Sequence, residues 1–333
     1  MKLPQPIQYQ GSKRLLAPLI LRYLPEDTVR LVEPFAGTGA LSIAAVARGL
    51  VKKVWLNDLN RPLTELLRLI IESPEELADF YEQLWNQQHG DSLEHYYRIR
   101  EDFNRTRDPR LFLYLLTRCV KGAVRYNSDG LFNQSPDKRR LGTRPEKMRD
   151  NIVRVSALLR GRTRFSHVDY REVLLQSAES DVVYMDPPYQ GVCGERDSRY
   201  FAGIGFDEYV DALVELNQRH IAYIVSYDGR RGGKEFGRKL PDYLELSLIE
   251  LDAGRSSQST LLGREEVTVE SLYLSPALMQ RLDIVPTNHS VRGHEQLRLL
   301  ETPAAYAQTP QRPPRALPNG HRKTSKNGHR SHP

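Results

Sequence analysis

The stretch Val29-Arg30-Leu31-Val32-Glu33-Pro34-Phe35-Ala36-Gly37-Thr38-Gly39 decides how this chain folds. Its first four residues read as a short buried strand running directly into a turn. Gly37 and Gly39 make that turn a loop in which backbone can approach a ligand where a Cβ would clash. The Ala/Leu/Ile-rich segment that follows stops at Gly49 and reads as a helix. Val54-Trp55-Leu56 is a second strand, ending at Asn57-Asp58. Strand, glycine loop, helix, strand is the first unit of a parallel α/β sheet.

On the N-terminal side, Leu15, Leu16, Leu19, Ile20 and Tyr23 stand at helical spacing, which predicts one amphipathic helix closed by Pro25. On the other side, residues from Ser73 to about Arg118 are helical in pattern, opening with Ser73-Pro74-Glu75-Glu76, and read as an insertion. The sheet resumes at 164–169 and again at 181–186. A helix with Phe206, Tyr209, Val210, Leu213 and Leu216 on one face leads to the strand Ala222-Tyr223-Ile224-Val225-Ser226. Strands at 244–251 and 267–274 read as a terminal hairpin. Beyond Pro276 the composition shifts to Pro, His, Gly, Asn, Arg and Lys, so residues from about 284 read as a disordered tail.

The formal charge of +6 is a poor guide to the partner, because residues 284–333 carry eight Lys/Arg against two Glu and account for all of it. Residues 118–164 are more informative, with 13 Lys/Arg against Asp129, Asp137, Glu146 and Asp150. With 39% hydrophobic residues the chain can bury a substantial core, which excludes disorder throughout. No apolar run reaches bilayer length, and the first six residues lack the apolar stretch of a signal peptide. A soluble intracellular protein is expected. Cys119 and Cys193 have no metal-type spacing, so neither a disulfide framework nor a cysteine-based zinc site is expected.

Two signals carry chemistry. Asp58 lies twenty-one residues after Gly37 at the end of the next strand, where an acid can bind ribose hydroxyls. The third glycine of the dinucleotide fingerprint is replaced by Ser42, which disfavours NAD and leaves a nucleoside ligand without a pyrophosphate. The second signal is Asp186-Pro187-Pro188-Tyr189 at the end of a strand in the same sheet. The Asp186 carboxylate and the Pro187 carbonyl offer two acceptors for the two hydrogens of an exocyclic amine, and Tyr189 offers a face for a planar base. An ordinary Pro-Pro turn with Tyr189 in the core is the alternative.

These pieces resemble the DNA adenine methylase (Dam-like, class alpha) family of N6-adenine methyltransferases. The matching segments are Gln8-Tyr9-Gln10-Gly11-Ser12-Lys13, residues 32–39, Leu56-Asn57-Asp58, Arg125-Tyr126-Asn127 with Gly130-Leu131-Phe132-Asn133, and residues 183–189. They occur in the family's order and cover residues 6 to about 276. The resemblance implies a Rossmann-like methyltransferase sheet, mostly parallel with a C-terminal antiparallel hairpin, plus an inserted helical DNA-recognition subdomain. It divides the chain into a catalytic domain (1–70 and 160–283), a target-recognition subdomain (71–159) and the basic tail (284–333).

The resemblance further implies S-adenosyl-L-methionine as cofactor, held by Tyr9, Lys13, Glu33, Phe35, Gly37, Gly39, Asp58 and Asp186, with Asp169 either at the cofactor's adenine or capping the next helix. Asp186, Pro187 and Tyr189 are the expected catalytic group, acting on an adenine turned out of duplex DNA without a metal. In the basic segment Lys121, Arg125, Tyr126, Asn127, Asn133, Lys138, Arg139 and Arg140 are the expected DNA-binding residues, with Arg118, Arg144 and Lys147 as further phosphate contacts. Gln134-Ser135-Pro136 and Val120-Lys121 depart from the pattern of members that recognise GATC, which leaves the target site open. An N4-cytosine methylase, an RNA adenine methylase and a catalytically silent DNA-binding protein remain alternatives. A monomer in the cytoplasm, associated with the nucleoid, is expected, with a cognate restriction endonuclease as a possible partner.

Overall fold

The computed structural model describes residues 3–9, 11–188, 204–231, 234–236, 238–255, 267–283 and 291–292. Five strands run parallel: β1 (Arg30–Glu33), β2 (Lys53–Asn57), β3 (Thr163–Ser166), β4 (Asp181–Met185) and the start of β5 (Ala222–Arg231). The terminal hairpin is β7 (Ser247–Arg255) against β8 (Val267–Leu274), and β8 also joins β5 in antiparallel fashion. The sheet order is β3-β2-β1-β4-β5-β8-β7-β9, with β6 (Lys234–Phe236) paired to β5. The mostly parallel sheet with one terminal hairpin is the Rossmann-like architecture expected. The two-residue β9 (Val291–Arg292) pairs with β7, so this piece of the expected tail takes part in the sheet.

Alternation along the strands sorts their side chains into two cores. Leu31, Val54, Leu56, Val182 and Ile224 face one core, shared with α2 (Ala40–Ala47), α3 (Arg61–Glu72) and α7 (Pro145–Leu159). Val32, Trp55, Val183, Met185 and Val225 face the other, covered by α8 (Tyr170–Leu175) and α9 (Phe206–Gln218). A strand buried on both faces must be apolar at every position, which is why Val182-Val183-Tyr184-Met185 shows no alternation in sequence.

The β2 to β3 crossover carries the helical insertion: α4 (Pro74–Gln87), α5 (Ser92–Thr106) and α6 (Pro109–Arg118) lie between α3 and α7. Asp91 and Asp108 cap α5 and α6 through side-chain oxygens, whereas α4 starts on Pro74 with no side-chain cap from Ser73. The N-terminal expectation needs correction. Instead of one amphipathic helix, a 3₁₀ turn (Lys13–Leu15), a four-residue α1 (Ala17–Ile20) and a second 3₁₀ turn (Leu21–Tyr23) follow one another. Pro18 has no N–H to continue a helix begun before it, and Leu15 is left 85% exposed at the mouth of the cavity described below. Among the described residues no helix is long and apolar enough to cross a membrane.

Candidate active site

In this sheet the chain leaves β1 toward β2 on one side, while β4 adjoins β1 on the other, so a crevice opens at their C-terminal ends. A cavity of about 650 Å³ occupies it. Tyr9, Lys13, Glu33, Phe35, Gly37, Asp58, Asp169, Asp186 and Pro187, distant in sequence, all line it, and Gly39 lies in the same loop. Tyr189, Gln10, Cys193 and the Ser256-Ser257 part of the hairpin loop lie outside the described residues.

The loop after β1 needs its glycines. Gly37 and Gly39 have φ of 52° and 63°, and a Cβ on Gly39 would stand 3.3 Å from Leu56 Cδ1. Gly37 N donates to Asp58 Oδ2 at 3.0 Å and Asn60 N donates to Oδ1 at 2.9 Å. Asp58 thereby ties the loop to the end of β2, and each oxygen keeps a second lone pair for a ligand hydroxyl. Burial raises the Asp58 pKa against the pull of those two N–H groups.

Glu33 is 3% exposed and accepts the Ser42 N–H at 2.9 Å. It caps α2 from the neighbouring strand, since the residue at the helix cap, Gly39, has no side chain to do so. Burial pushes its pKa from the ordinary 4.5 to about 7, opposed by Ser42 and reinforced by the negative charge of Asp186. A carboxyl whose pKa is raised on folding stabilises the protonated protein, and that stabilisation is lost as pH rises through the folded value. Thermal stability should therefore decline between about pH 4.5 and about 7, with Asp58 contributing in the same direction. Glu33→Gln keeps an acceptor for Ser42 and should flatten this decline; a melting series with the wild-type slope would contradict it.

Asn57, quoted in the sequence motif but assigned no role there, organises the cavity floor. It is 1% exposed, and its Nδ2 donates to the carbonyls of Pro34 at 2.9 Å and Val168 at 3.0 Å. Its Oδ1 accepts from Ser166 Oγ at 2.7 Å and Val168 N at 3.0 Å. One side chain thus fastens the ends of β1, β2 and β3. The available signal was an amide closing an otherwise apolar strand, where a polar group needs partners. Asp169 caps α8 by accepting the Arg171 N–H at 3.0 Å, and the Arg171 guanidinium holds its carboxyl below the usual range. Of the two alternatives left open, the cap is present, and the side chain also lines the cavity.

Lys13 Nζ lies 3.4 Å from Asp186 Oδ1 and 2.6 Å from Glu270 Oε2. Glu270, on β8, was not expected; a lone charge in Val267-Thr268-Val269-Glu270-Ser271-Leu272 was its signal. Six acids line the cavity (Glu33, Asp58, Asp169, Asp186, Glu208 and Glu270), against Lys13 and Arg171. This excess of negative charge, with the glycine loop and the ribose-binding type of acid, fits a cationic nucleoside cofactor.

The basic segment forms an exposed ribbon. Asn133 N donates to Arg125 O at 3.0 Å and Asn127 N to Leu131 O at 2.9 Å, with a bridge between Tyr126 and Phe132. Alternate residues of extended chain point to opposite sides. Arg125 and Asn133 are accordingly exposed, as are Lys138, Arg139, Arg140 and Arg144. Tyr126, expected among the DNA-binding residues, points inward. It is 6% exposed, packs on Phe132 and donates its hydroxyl to Asn60 Oδ1 at 3.3 Å. Arg118, expected as a further phosphate contact, is 1% exposed; it donates to the carbonyls of Asp137 and Arg140 and braces the basic loop from beneath. Asn127 is half-buried and accepts the N–H groups of Asp129 and Leu131, shaping the turn of the ribbon.

A glycine loop and an Asp-Pro-Pro turn facing one crevice of this sheet define a Rossmann-like methyltransferase. A model of the D12 class N6 adenine-specific DNA methyltransferases matches residues 9–253, most of the chain. The chain belongs to that family. It is 29% identical to a DNA adenine methylase of Serratia marcescens, over 78% of this chain and 94% of that protein. It is 28% identical to a DNA N-6-adenine-methyltransferase of Escherichia phage P1, over 67% of this chain but only 29% of that longer protein. It is 23% identical to the type II methyltransferase M1.LlaDCHI of Lactococcus lactis subsp. cremoris, over 78% and 92% of the two chains.

Proposed function

We propose that the chain moves the methyl group of S-adenosyl-L-methionine to the N6 amino group of an adenine turned out of duplex DNA. The observation that carries this reading is the Asp186-Pro187-Pro188 turn opening into the same cavity as the glycine loop and Asp58. Asp58 holds the ribose, the loop at Gly37 and Gly39 admits the amino-acid portion, and Phe35, Tyr9 and Lys13 complete the cofactor site. When bound, the cofactor supplies an electrophilic methyl on a sulfonium.

The rest of the chemistry belongs to the protein. The adenine amino nitrogen is conjugated with its ring and is a poor nucleophile. Asp186 and the Pro187 carbonyl each accept one amino hydrogen, which favours a pyramidal nitrogen with its lone pair free. Tyr189 stacks on the base, and turning the base out costs about a few kcal/mol of unstacking. Incubating the protein with labelled cofactor and either duplex DNA or RNA, then analysing nucleosides, should yield N6-methyladenine in DNA. N4-methylcytosine, or label in RNA alone, would overturn the reading.

Arg125, Asn133, Lys121, Lys138, Arg139 and Arg140 are the proposed DNA contacts, with Asn127 setting the turn between the two halves of the ribbon. Five exposed cations, Arg125, Lys138, Arg139, Arg140 and Arg144, would release about five counterions. The logarithm of affinity should then fall against the logarithm of salt with a slope of about −4 to −5. A flat dependence would remove this face from the DNA interface. The type II relative supports a second partner, a restriction endonuclease cutting the same site.

A further inference from the structure

Leu131 and Asn133 bond across the basic ribbon to Asn127 and Arg125, which turns the backbone groups of residues 130, 132 and 134 toward its outer edge. One stripe of α5 meets that edge. Tyr96, Asn104 and Arg107 stand at i, i+8 and i+11, on one side of the helix, and reach the ribbon in reverse order. Tyr96 Oη donates to Gln134 O at 2.8 Å, Asn104 Nδ2 to Phe132 O at 3.0 Å and Arg107 Nη2 to Gly130 O at 2.7 Å. Phe132 N donates in return to Asn104 Oδ1 at 2.8 Å, so this one amide takes both groups that a neighbouring strand would take. The lengths agree, since eleven residues of helix and four of strand both span about 13–17 Å. Arg107 closes α5 at φ 58°, a left-handed value uncommon outside glycine, and its guanidinium makes the last rung.

We propose that Asn104 is a positioning residue for DNA recognition. With Tyr96 and Arg107 it sets the backbone of residues 130–134 before DNA arrives, and so aims Asn133 and its cross-ribbon neighbour Arg125. This rests on the DNA-methylation reading above and assigns a task to the helical insertion. A two-stranded ribbon alone is barely stable in water, and ordering it on binding would be subtracted from the affinity. The α5 stripe removes that cost by occupying the outer edge. It leaves the exposed face of Leu131 and Asn133 clear to enter a groove of the duplex, because these residues alternate with the buried Phe132 and Gln134.

Asn104→Ala removes both bonds to Phe132 and no charge. In the free wild-type protein the Phe132 amide should exchange slowly with solvent, and in the variant about tenfold faster or more, with the amides of α6 unchanged. On unmethylated plasmid duplex DNA the KM should rise about fivefold to thirtyfold, the cost of ordering the backbone of about one residue. At saturating DNA kcat should stay within about twofold of the wild type. The salt dependence of DNA affinity should keep its wild-type slope, because every phosphate-contacting cation is still present. Tyr96→Phe keeps the ring, loses one hydroxyl and should move KM in the same direction by a smaller factor. A merely structural role would instead lower the melting temperature and the active fraction, and with it kcat, leaving KM unmoved. That pattern, an unprotected Phe132 amide in the wild type, or a reduced salt slope in Asn104→Ala would each overturn the proposal. Failure of the methylation reading is separately visible, as a wild-type protein that methylates no nucleic acid while its exchange pattern is as expected.

Discussion

Asp186→Ala should lower methyl transfer about a thousandfold, the scale seen when a preorganised hydrogen-bond partner is removed from a reacting group. The side chain follows β4 directly and lines the same cavity as the glycine loop, and in the proposed reaction its substitution removes the acceptor that orients the amino nitrogen. Affinity for DNA should change little, because the exposed cations lie on the separate ribbon around residues 125–144. Asp186→Asn should fail almost as badly, since a carboxamide brings N–H donors to a place that requires acceptors. Single-turnover rates alongside equilibrium binding separate the two effects. A variant that binds DNA and transfers methyl at the wild-type rate would dismiss Asp186 from the chemistry.

Asn57→Ala should produce the largest loss of stability, about 3–4 kcal/mol, because four hydrogen bonds in the floor of the cavity depend on one buried amide. The truncated residue leaves the carbonyls of Pro34 and Val168 and the N–H of Val168 without that partner. Asn57→Asp, equal in volume, should also destabilise strongly by setting a carboxylate against two carbonyl oxygens. Urea unfolding at constant m-value measures both. A loss under about 1 kcal/mol in either variant would show that the strand ends are held by their ladders rather than by this side chain. Cofactor affinity should fall with stability, since the same residue sets the spacing between the loop at Gly37 and the acid at Asp58.

Much of this was legible in the chain itself. The glycine loop, Asp58 and the Asp-Pro-Pro turn are local signals: each needs particular residue types at fixed short spacing, because a positive φ, a strand end and a rigid turn are all made by a few adjacent residues. The parallel strands and the hairpin were legible for the same reason, from apolar runs bounded by turn residues. Less legible was the N-terminal segment, where Leu15, Leu16, Leu19 and Ile20 keep helical spacing but Pro18 interrupts the hydrogen bonding that spacing implies. Nor could charge alone show which basic residues face outward. Arg118 and Arg125 belong to the same cationic stretch, yet one braces carbonyls in the interior and the other is exposed, as the neighbouring elements dictate.

By itself the sequence determined where the glycine loop, Asp58 and the Asp186-Pro187-Pro188 turn lie and that the frame is a parallel α/β sheet, since these rest on contiguous motifs whose chemistry is local. The reaction class came from the family resemblance those motifs carry. Tertiary structure alone decided the placement of Glu270 beside Lys13 and Asp186, the turning of Tyr126 into the core, and the use of Asn57 to lock three strand ends. Those choices depend on contacts between residues tens to hundreds of positions apart. A strand's neighbours, and the side from which a long connection returns to them, are settled only when the whole sheet is assembled and both of its faces are buried.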